Sequence, residues 1–202
     1  MLLICLDLEG VLVPEIWIEV ARRFKCRELL LTTRDIPDYD KLMKYRINIL
    51  RSKGIQLKDI QSVIRKIKPL PGAQAFLNQL REKVGAVVIL SDTFYEFAAP
   101  LMKQLGYPAL LCNSLKIDAK GFISGHVMRQ SDGKTKAVKA FQSTGMKVYA
   151  AGDSFNDLGM LRTAHKGILF NPPISIKKKY KQFPAVTRYT QLLRLLTASY
   201  SR

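Results

Sequence analysis

Leu2-Leu3-Ile4-Cys5-Leu6-Asp7-Leu8-Glu9-Gly10 opens the chain with five apolar residues and then places two acids within three positions. A short apolar run stopped by charge predicts a buried strand, Leu2 to Leu6, whose carboxyl end carries the acids. The pattern returns at Val148 to Ala151, followed by Gly152-Asp153-Ser154-Phe155-Asn156-Asp157. Two buried strands that both end in acidic clusters predict a site for a divalent cation and a phosphate.

Further strand-like runs lie at Ala86 to Leu90, Ala109 to Cys112 and Gly167 to Phe170, with a short β excursion around Phe122 to Met128 after the turn-like Asp118-Ala119-Lys120-Gly121. Helical patterns alternate with them. This alternation predicts an α/β fold, a three-layer doubly wound and mainly parallel Rossmann-like sheet with helices on both faces. About eighty residues separate the first two strands, far more than one crossover needs. The excess shows helical periodicity in Leu42, Tyr45 and Ile49 and again in Ile60, Val63, Ile64 and Ile67. Pro69-Leu70-Pro71-Gly72 then closes the insertion and starts a helix over Ala73 to Arg81. The expected organisation is a small helical cap, residues 14–68, inserted after the first strand of a core made of residues 1–13 and 69–202.

Composition narrows the function classes. With 202 residues, 48% of them hydrophobic, the chain can bury one substantial core and a small second lobe. No apolar run reaches the roughly 18 residues of a membrane span, and Met1 to Leu6 is too short for the apolar part of a signal peptide. A soluble, cytoplasmic protein with no membrane partner is expected. Cys5, Cys26 and Cys112 are scattered and odd in number, which points to reduced thiols rather than a disulfide framework or a zinc site. The net charge is +17, and all sixteen acids lie at or before Asp157, with nine Lys or Arg beyond it, including Lys177-Lys178-Lys179-Tyr180-Lys181. That run reads as a solvated face more readily than as a nucleic-acid surface, and a positive field also concentrates anionic phosphate esters near the protein.

Ligands of an open α/β sheet bind outside the carboxyl ends of its strands. Asp7, Ser91 with Asp92, and Asp153 with Asp157 would all meet there. Oxygen donors without histidine or cysteine suit Mg²⁺. Taken singly, Ser91, Asp92 and Asp157 would read as helix caps; taken together they read as a site. His126 and His165 fit no nucleophile or metal arrangement, and hydrogen-bonded or surface positions are expected of both.

Four ordered segments, Asp7-x-Glu9-Gly10-Val11, Ser91-Asp92-Thr93, the Gly133-Lys134 pair at a helix start and Gly152-Asp153-Ser154-x-Asn156-Asp157, resemble the motifs of the haloacid dehalogenase superfamily of phosphotransferases. Within it, Thr33-Arg34-Asp35-Ile36-Pro37-Asp38-Tyr39-Asp40 and Ile89-Leu90-Ser91-Asp92-Thr93-Phe94-Tyr95-Glu96-Phe97 resemble the subfamily of bacterial bifunctional phosphoserine phosphatase/homoserine phosphotransferases.

The resemblance implies Asp7 as a nucleophile that forms an aspartyl-phosphate. It implies Mg²⁺ held by the Asp7 carboxylate, the Glu9 carbonyl and the Asp153 carboxylate, with Asp157 supporting that set. Lys134 would offset phosphoryl charge, with Lys136 and Lys139 as alternatives should the preceding turn shift. Ser91, Asp92 and Asn156 are candidate substrate contacts. Glu9 replaces the superfamily's usual Asp; it would protonate the leaving alkoxide and activate water, or else contribute only its carbonyl. Arg46 would grip a substrate carboxylate and Glu15 its ammonium, although Arg46 without the resemblance reads as an exposed charge. Trp17 reads as packing, or as a shield of the pocket from water.

The implied activity is Mg²⁺-dependent phosphoserine phosphatase, with a small phosphoamino acid as substrate and homoserine competing with water as acceptor. A monomer or homodimer is the family expectation. The alternatives are a phosphatase for another small phosphate ester and, in a different class, a basic nucleic-acid-binding protein on a degenerate phosphatase fold. An intact Asp7, Glu9, Lys134 and Asp153 speaks against the latter.

Overall fold

The computed structural model describes residues 1–32, 35–36 and 38–198. Of the Thr33-to-Asp40 stretch, Thr33, Arg34 and Pro37 lie outside the described residues. Strand β1 (Leu2–Leu6) is followed by helices α1 (Ile16–Arg23), α2 (Tyr39–Ser52), α3 (Leu57–Ile64) and α4 (Ala73–Val84). Next come β2 (Ala86–Phe94), α5 (Tyr95–Gln104), β3 (Ala109–Ile117), β4 (Ile123–Val127) and α6 (Gly133–Ser143). The chain continues through β5 (Lys147–Gly152), α7 (Leu158–Thr163), β6 (Lys166–Phe170), α8 (Ile174–Lys179), β7 (Ala185–Val186) and α9 (Tyr189–Thr197).

The sheet order is β4-β3-β2-β1-β5-β6-β7, parallel throughout except for the antiparallel β3–β4 pair. All five residues of β1 are buried because it is central and covered on both faces, the condition that produces a continuous apolar run. Its side chains divide with the strand period of two. Leu2, Ile4 and Leu6 join a core with α4, α5 and α9, whereas Leu3 and Cys5 join a second core with Ala137 and Val138 of α6, Met160 and Leu161 of α7, and Ile176 of α8. Those two cores are the two helical layers of the expected doubly wound fold. Among the described residues no helix is long and apolar enough to cross a membrane.

Three sequence readings change. First, β2 runs on to Phe94, so Ser91 and Asp92 lie within the strand rather than at its end. Its pairing with β1 stops at Ile89, and its pairing with β3 shifts register between Leu90 and Phe94. A bulge of this kind re-aims side chains at a sheet end, and it places Ser91-Asp92-Thr93 over the crevice. Secondly, β3 continues beyond Cys112 to Ile117, because its second half pairs with β4 instead of lying in the buried sheet. Thirdly, α2 buries Leu42, Met43, Arg46, Ile47 and Leu50, while Tyr45 and Ile49 are only half-buried. The buried stripe therefore includes an arginine, and Arg46 is 6% exposed rather than a surface charge.

The helices between β1 and α4 lean on the β3–β4 hairpin as well as on α5. Arg51 pairs with Asp118 at 2.7 Å, the Gln56 side-chain amide donates to the Lys120 carbonyl at 2.7 Å, and Leu57 N–H donates to the Gly121 carbonyl at 2.9 Å. His126 Nε2 lies 2.9 Å from Asp40 Oδ1, and His165 Nδ1 accepts from Val148 N–H at 3.1 Å. Both histidines are hydrogen-bonded, as expected. Lys177, Lys178 and Lys179 are exposed along α8.

Candidate active site

Strand register brings the two acidic ends together. Leu6 pairs with Ala151, and Asp7 N–H extends the ladder by donating to the Ala151 carbonyl at 3.0 Å. Asp7 is 5% exposed, and its Oδ1 accepts from Leu8 N–H at 2.7 Å. Gly10 follows with φ +73°, a left-handed turn that carries the chain away from the sheet. The chain there passes so close to the β5 end that a Cβ at Gly10 would lie 2.5 Å from Asp153 Cγ. Gly10→Ala is therefore expected to cost about 2–4 kcal/mol, backbone strain plus overpacking. Gly54→Ala, with φ +66° and open space around it, should cost only the backbone part, about 1–2 kcal/mol. Denaturant midpoints of the two variants check the difference.

Lys134 stands on the first turn of α6, 5% exposed. Its Nζ lies 2.9 Å from Asp7 Oδ1, 2.7 Å from Asp157 Oδ1 and 3.7 Å from Asp92 Oδ2. Lys136 instead donates to Ser131 Oγ at 2.8 Å on the surface, and Lys139 is exposed. The lysine in the crevice is Lys134.

Asp157 is wholly buried and acts in two directions. Its Oδ1 accepts from Lys134, while Oδ2 accepts from Asp153 N–H and Ser154 N–H at 3.0 Å and from Ser154 Oγ at 3.2 Å. It is both the cap of the 155–157 turn and the anchor of the lysine. One carboxylate oxygen from each of Asp7, Asp153 and Asp157 lies within 4.8 Å of the other two.

The charges at the crevice are strained toward neutrality. Burial and the Asp157 charge push Asp7 well above the usual carboxylate range, against the pull of Lys134. Burial, then Asp157 and Glu15, push Asp153 up to about 7. Burial alone would lower Lys134, but Asp157, Asp7 and Asp92 outweigh it and hold its ammonium well above the usual lysine value. Among the described residues one ammonium faces this group of carboxylates, a deficit of positive charge, and the donors are all oxygens. Such a set fits a hard metal cation.

Glu9 turns to the other side. Its Oε1 accepts from Ile16 N–H, the first residue of α1, at 2.7 Å. Burial and the charge of Glu15 nevertheless push its carboxyl up to about 7.

A cavity of about 80 Å³ lies against Asp7, Ser91, Lys134 and Asp153. It adjoins a larger one of about 320 Å³, since Glu9, Glu15, Asp92 and Asn156 line both. Arg46, Trp17 and Tyr39 line the larger one. All the candidate residues thus face two joined cavities, apart from Asp157, which lies behind them. The sequence reading gave Tyr39 no role. Its hydroxyl approaches the Asp92 carbonyl at 3.4 Å, and that carbonyl also accepts from Asn113 Nδ2 at 2.9 Å. No local spacing signals a contact between residues so far apart in the chain.

A doubly wound sheet with a buried nucleophile-like aspartate, a lysine and paired acids at its switch point defines a class, and comparison with known proteins gives that class its name. The pattern of the haloacid dehalogenase-like hydrolases matches residues 1–165, and the chain belongs to that family. More narrowly, it is 54% identical over 198 residues to the phosphoserine phosphatase ThrH of Pseudomonas aeruginosa, covering 98% of this chain and 96% of that one. It is 53% identical over 188 residues to a phosphoserine phosphatase of Pseudomonas syringae pv. tomato, covering 93% of this chain and 79% of that one. Among solved structures, an apo phosphoserine phosphatase superposes with a TM-score of 0.76 at 22% identity, covering 98% of both chains. A phospho-aspartyl intermediate analogue of phosphoserine phosphatase gives 0.76 at 19%, covering 96% of this chain and 97% of that one. These two likenesses establish the fold.

Proposed function

We propose that this chain is a Mg²⁺-dependent phosphoserine phosphatase that works through an aspartyl-phosphate on Asp7, with residues 14–68 forming a cap over a core of 1–13 and 69–202. The observation that carries the reading is the buried Lys134 held between Asp7 and Asp157 at the floor of a two-part cavity. The identity to phosphoserine phosphatases along nearly the whole chain supports the substrate.

Asp7 Oδ1 is engaged by Leu8 N–H and Lys134, which leaves Oδ2 to attack phosphorus. Lys134 offsets charge on the phosphoryl oxygens as it is transferred. Asp7, Asp153 and the Glu9 carbonyl would hold Mg²⁺, which supplies electrophilic stabilisation of the same oxygens when bound. Ser91 faces the phosphoryl group from the bulge in β2. In the larger cavity Arg46 takes the carboxylate and Glu15 the ammonium of phosphoserine, beside Asp92 and Asn156. Glu9 protonates the leaving serine oxygen and then takes a proton from water or from homoserine. A cytoplasmic location is part of the same reading.

Phosphate release from L-phosphoserine with Mg²⁺ tests the reading, with other small phosphate monoesters as comparison. Absence of turnover, or equal turnover of all of them, would sink the substrate assignment. Glu9 adds a pH signature. A carboxyl raised to about 7 keeps its proton up to that pH, so the acid form needed for the first step is lost as pH rises through about 7. The expected result is an alkaline fall of kcat/KM with phosphoserine. It should be absent with p-nitrophenyl phosphate, whose leaving group needs no proton, and absent from the Glu9→Gln variant with phosphoserine.

A further inference from the structure

Arg46 is a buried cation with an unusual set of partners. Its Nη2 donates to the Leu31 carbonyl at 2.8 Å, and its Nε has no hydrogen-bond partner among the described residues. No carboxylate of the described residues lies within ion-pair distance of it. What covers it is the ring of Trp17, with the guanidinium carbon 4.4 Å from the ring centroid. Trp17 comes from α1 and Arg46 from α2, and both line the larger cavity. The indole is held in turn by the Phe97 ring of α5, with the two ring centroids 5.4 Å apart in an edge-to-face arrangement. An aromatic face attracts a guanidinium through its quadrupole and leaves the in-plane donors available to a planar anion, here those not already given to the Leu31 carbonyl, Nε among them.

We propose that Trp17 is a positioning residue for carboxylate recognition: the indole, braced on Phe97, sets the plane of Arg46 so that its edge meets the carboxylate of the phosphate ester in the larger cavity. This rests on the phosphoserine reading and goes beyond it, because it assigns substrate discrimination to a side chain that does not itself bond the substrate. A packing residue would affect all esters alike. A residue that orients Arg46 acts only on esters bearing a carboxylate.

Phosphoethanolamine is phosphoserine without its carboxylate, so the ratio of kcat/KM for the two esters isolates the effect. In Trp17→Leu that ratio is expected to fall about tenfold, carried mainly by KM for phosphoserine. Trp17→Phe, which keeps an aromatic face, should retain most of the ratio. On an Arg46→Ala background Trp17→Leu should lower it no further, because the group it orients is gone. Trp17 is also the single tryptophan of the chain. In Asp7→Asn, which holds substrate without turnover, its emission should change on saturation with phosphoserine and much less with phosphoethanolamine. This fluorescence arm decides the matter even if Trp17→Leu fails to fold.

An unchanged ratio in Trp17→Leu, an equal further loss on the Arg46→Ala background, or equal emission changes with the two esters overturns the proposal. A wild-type enzyme with no preference for phosphoserine over phosphoethanolamine overturns the substrate reading as well. A preference that survives loss of the aromatic face overturns only the role of Trp17.

Discussion

Asp7→Asn is expected to lower phosphate release from L-phosphoserine by about 10⁴–10⁶-fold, the range seen when a covalent nucleophile is removed, while the protein remains folded. Asparagine has the shape of aspartate and keeps an acceptor for Leu8 N–H and Lys134. It lacks the anionic oxygen that the proposed mechanism brings to phosphorus. In metal-free protein stability is expected to rise, by about 1 kcal/mol, because what disfavours the charge outweighs what favours it. Loss of the charge relieves its burial and the repulsion from Asp157 and Asp153, which push the Asp7 carboxyl up, and forfeits the weaker attraction to Lys134, which pulls it down. Initial rates and thermal midpoints measured side by side separate the two effects. Acid quenching with radiolabelled phosphoserine adds a direct view: wild type should retain an acid-stable, hydroxylamine-labile label, and Asp7→Asn none. A rate reduced only a few-fold would remove Asp7 from the nucleophile's role.

The parts of this site that a reader of sequence can find are those set by strand ends. Leu2 to Leu6 and Val148 to Ala151 announce themselves as apolar runs, and parallel pairing of their carboxyl ends makes Asp7 and Asp153 neighbours. What escapes is decided by tertiary contacts. β7 has two residues and exists through pairing with Leu169 and Phe170, so its own composition carries no signal. The buried face of α2 looked centred on Leu42, Tyr45 and Ile49, but the helix packs at once against the cavity and the β3–β4 hairpin. Its stripe is therefore shifted to include Arg46. A charged residue in a buried stripe looks like an error in a periodicity count. Here it is the most informative residue of the helix.

Charge distribution was legible only in total. The net +17 suggests a protein that attracts anions, yet among the described residues the crevice is crowded with carboxylates and holds one ammonium. Surface excess and local deficit have different consequences. The long-range field draws anionic esters toward the protein, while the carboxylates inside require a cation before such an ester can settle.

That deficit makes Lys134 the residue whose loss should be felt in both activity and stability. Lys134→Met keeps most of the side-chain volume but leaves Asp7, Asp157 and Asp92 without their shared partner. Breaking a buried ion pair on one side costs about 3–5 kcal/mol, and loss of a phosphoryl-stabilising donor costs about 10²–10³-fold in kcat. Lys134→Arg should not rescue it, because a rigid planar fork cannot take the place of a point charge that meets Asp7 at 2.9 Å and Asp157 at 2.7 Å.

The stability loss should depend on pH, with a definite sign. Asp153 is already raised from 3.8 to about 7, so the folded state binds more protons than the unfolded one in that window, and stability falls as pH rises through it. Lys134 is raised and stays protonated in both states across the same window, so it adds no slope of its own. It does favour the ionised carboxylates of Asp7 and Asp153. Without it their pKa values rise further, and the window of falling stability widens upward. Urea unfolding of metal-free wild type and Lys134→Met at pH 5 and pH 8 should therefore show a deficit that grows with pH. A deficit equal at the two pH values would mean that Lys134 supports the fold by packing rather than by charge.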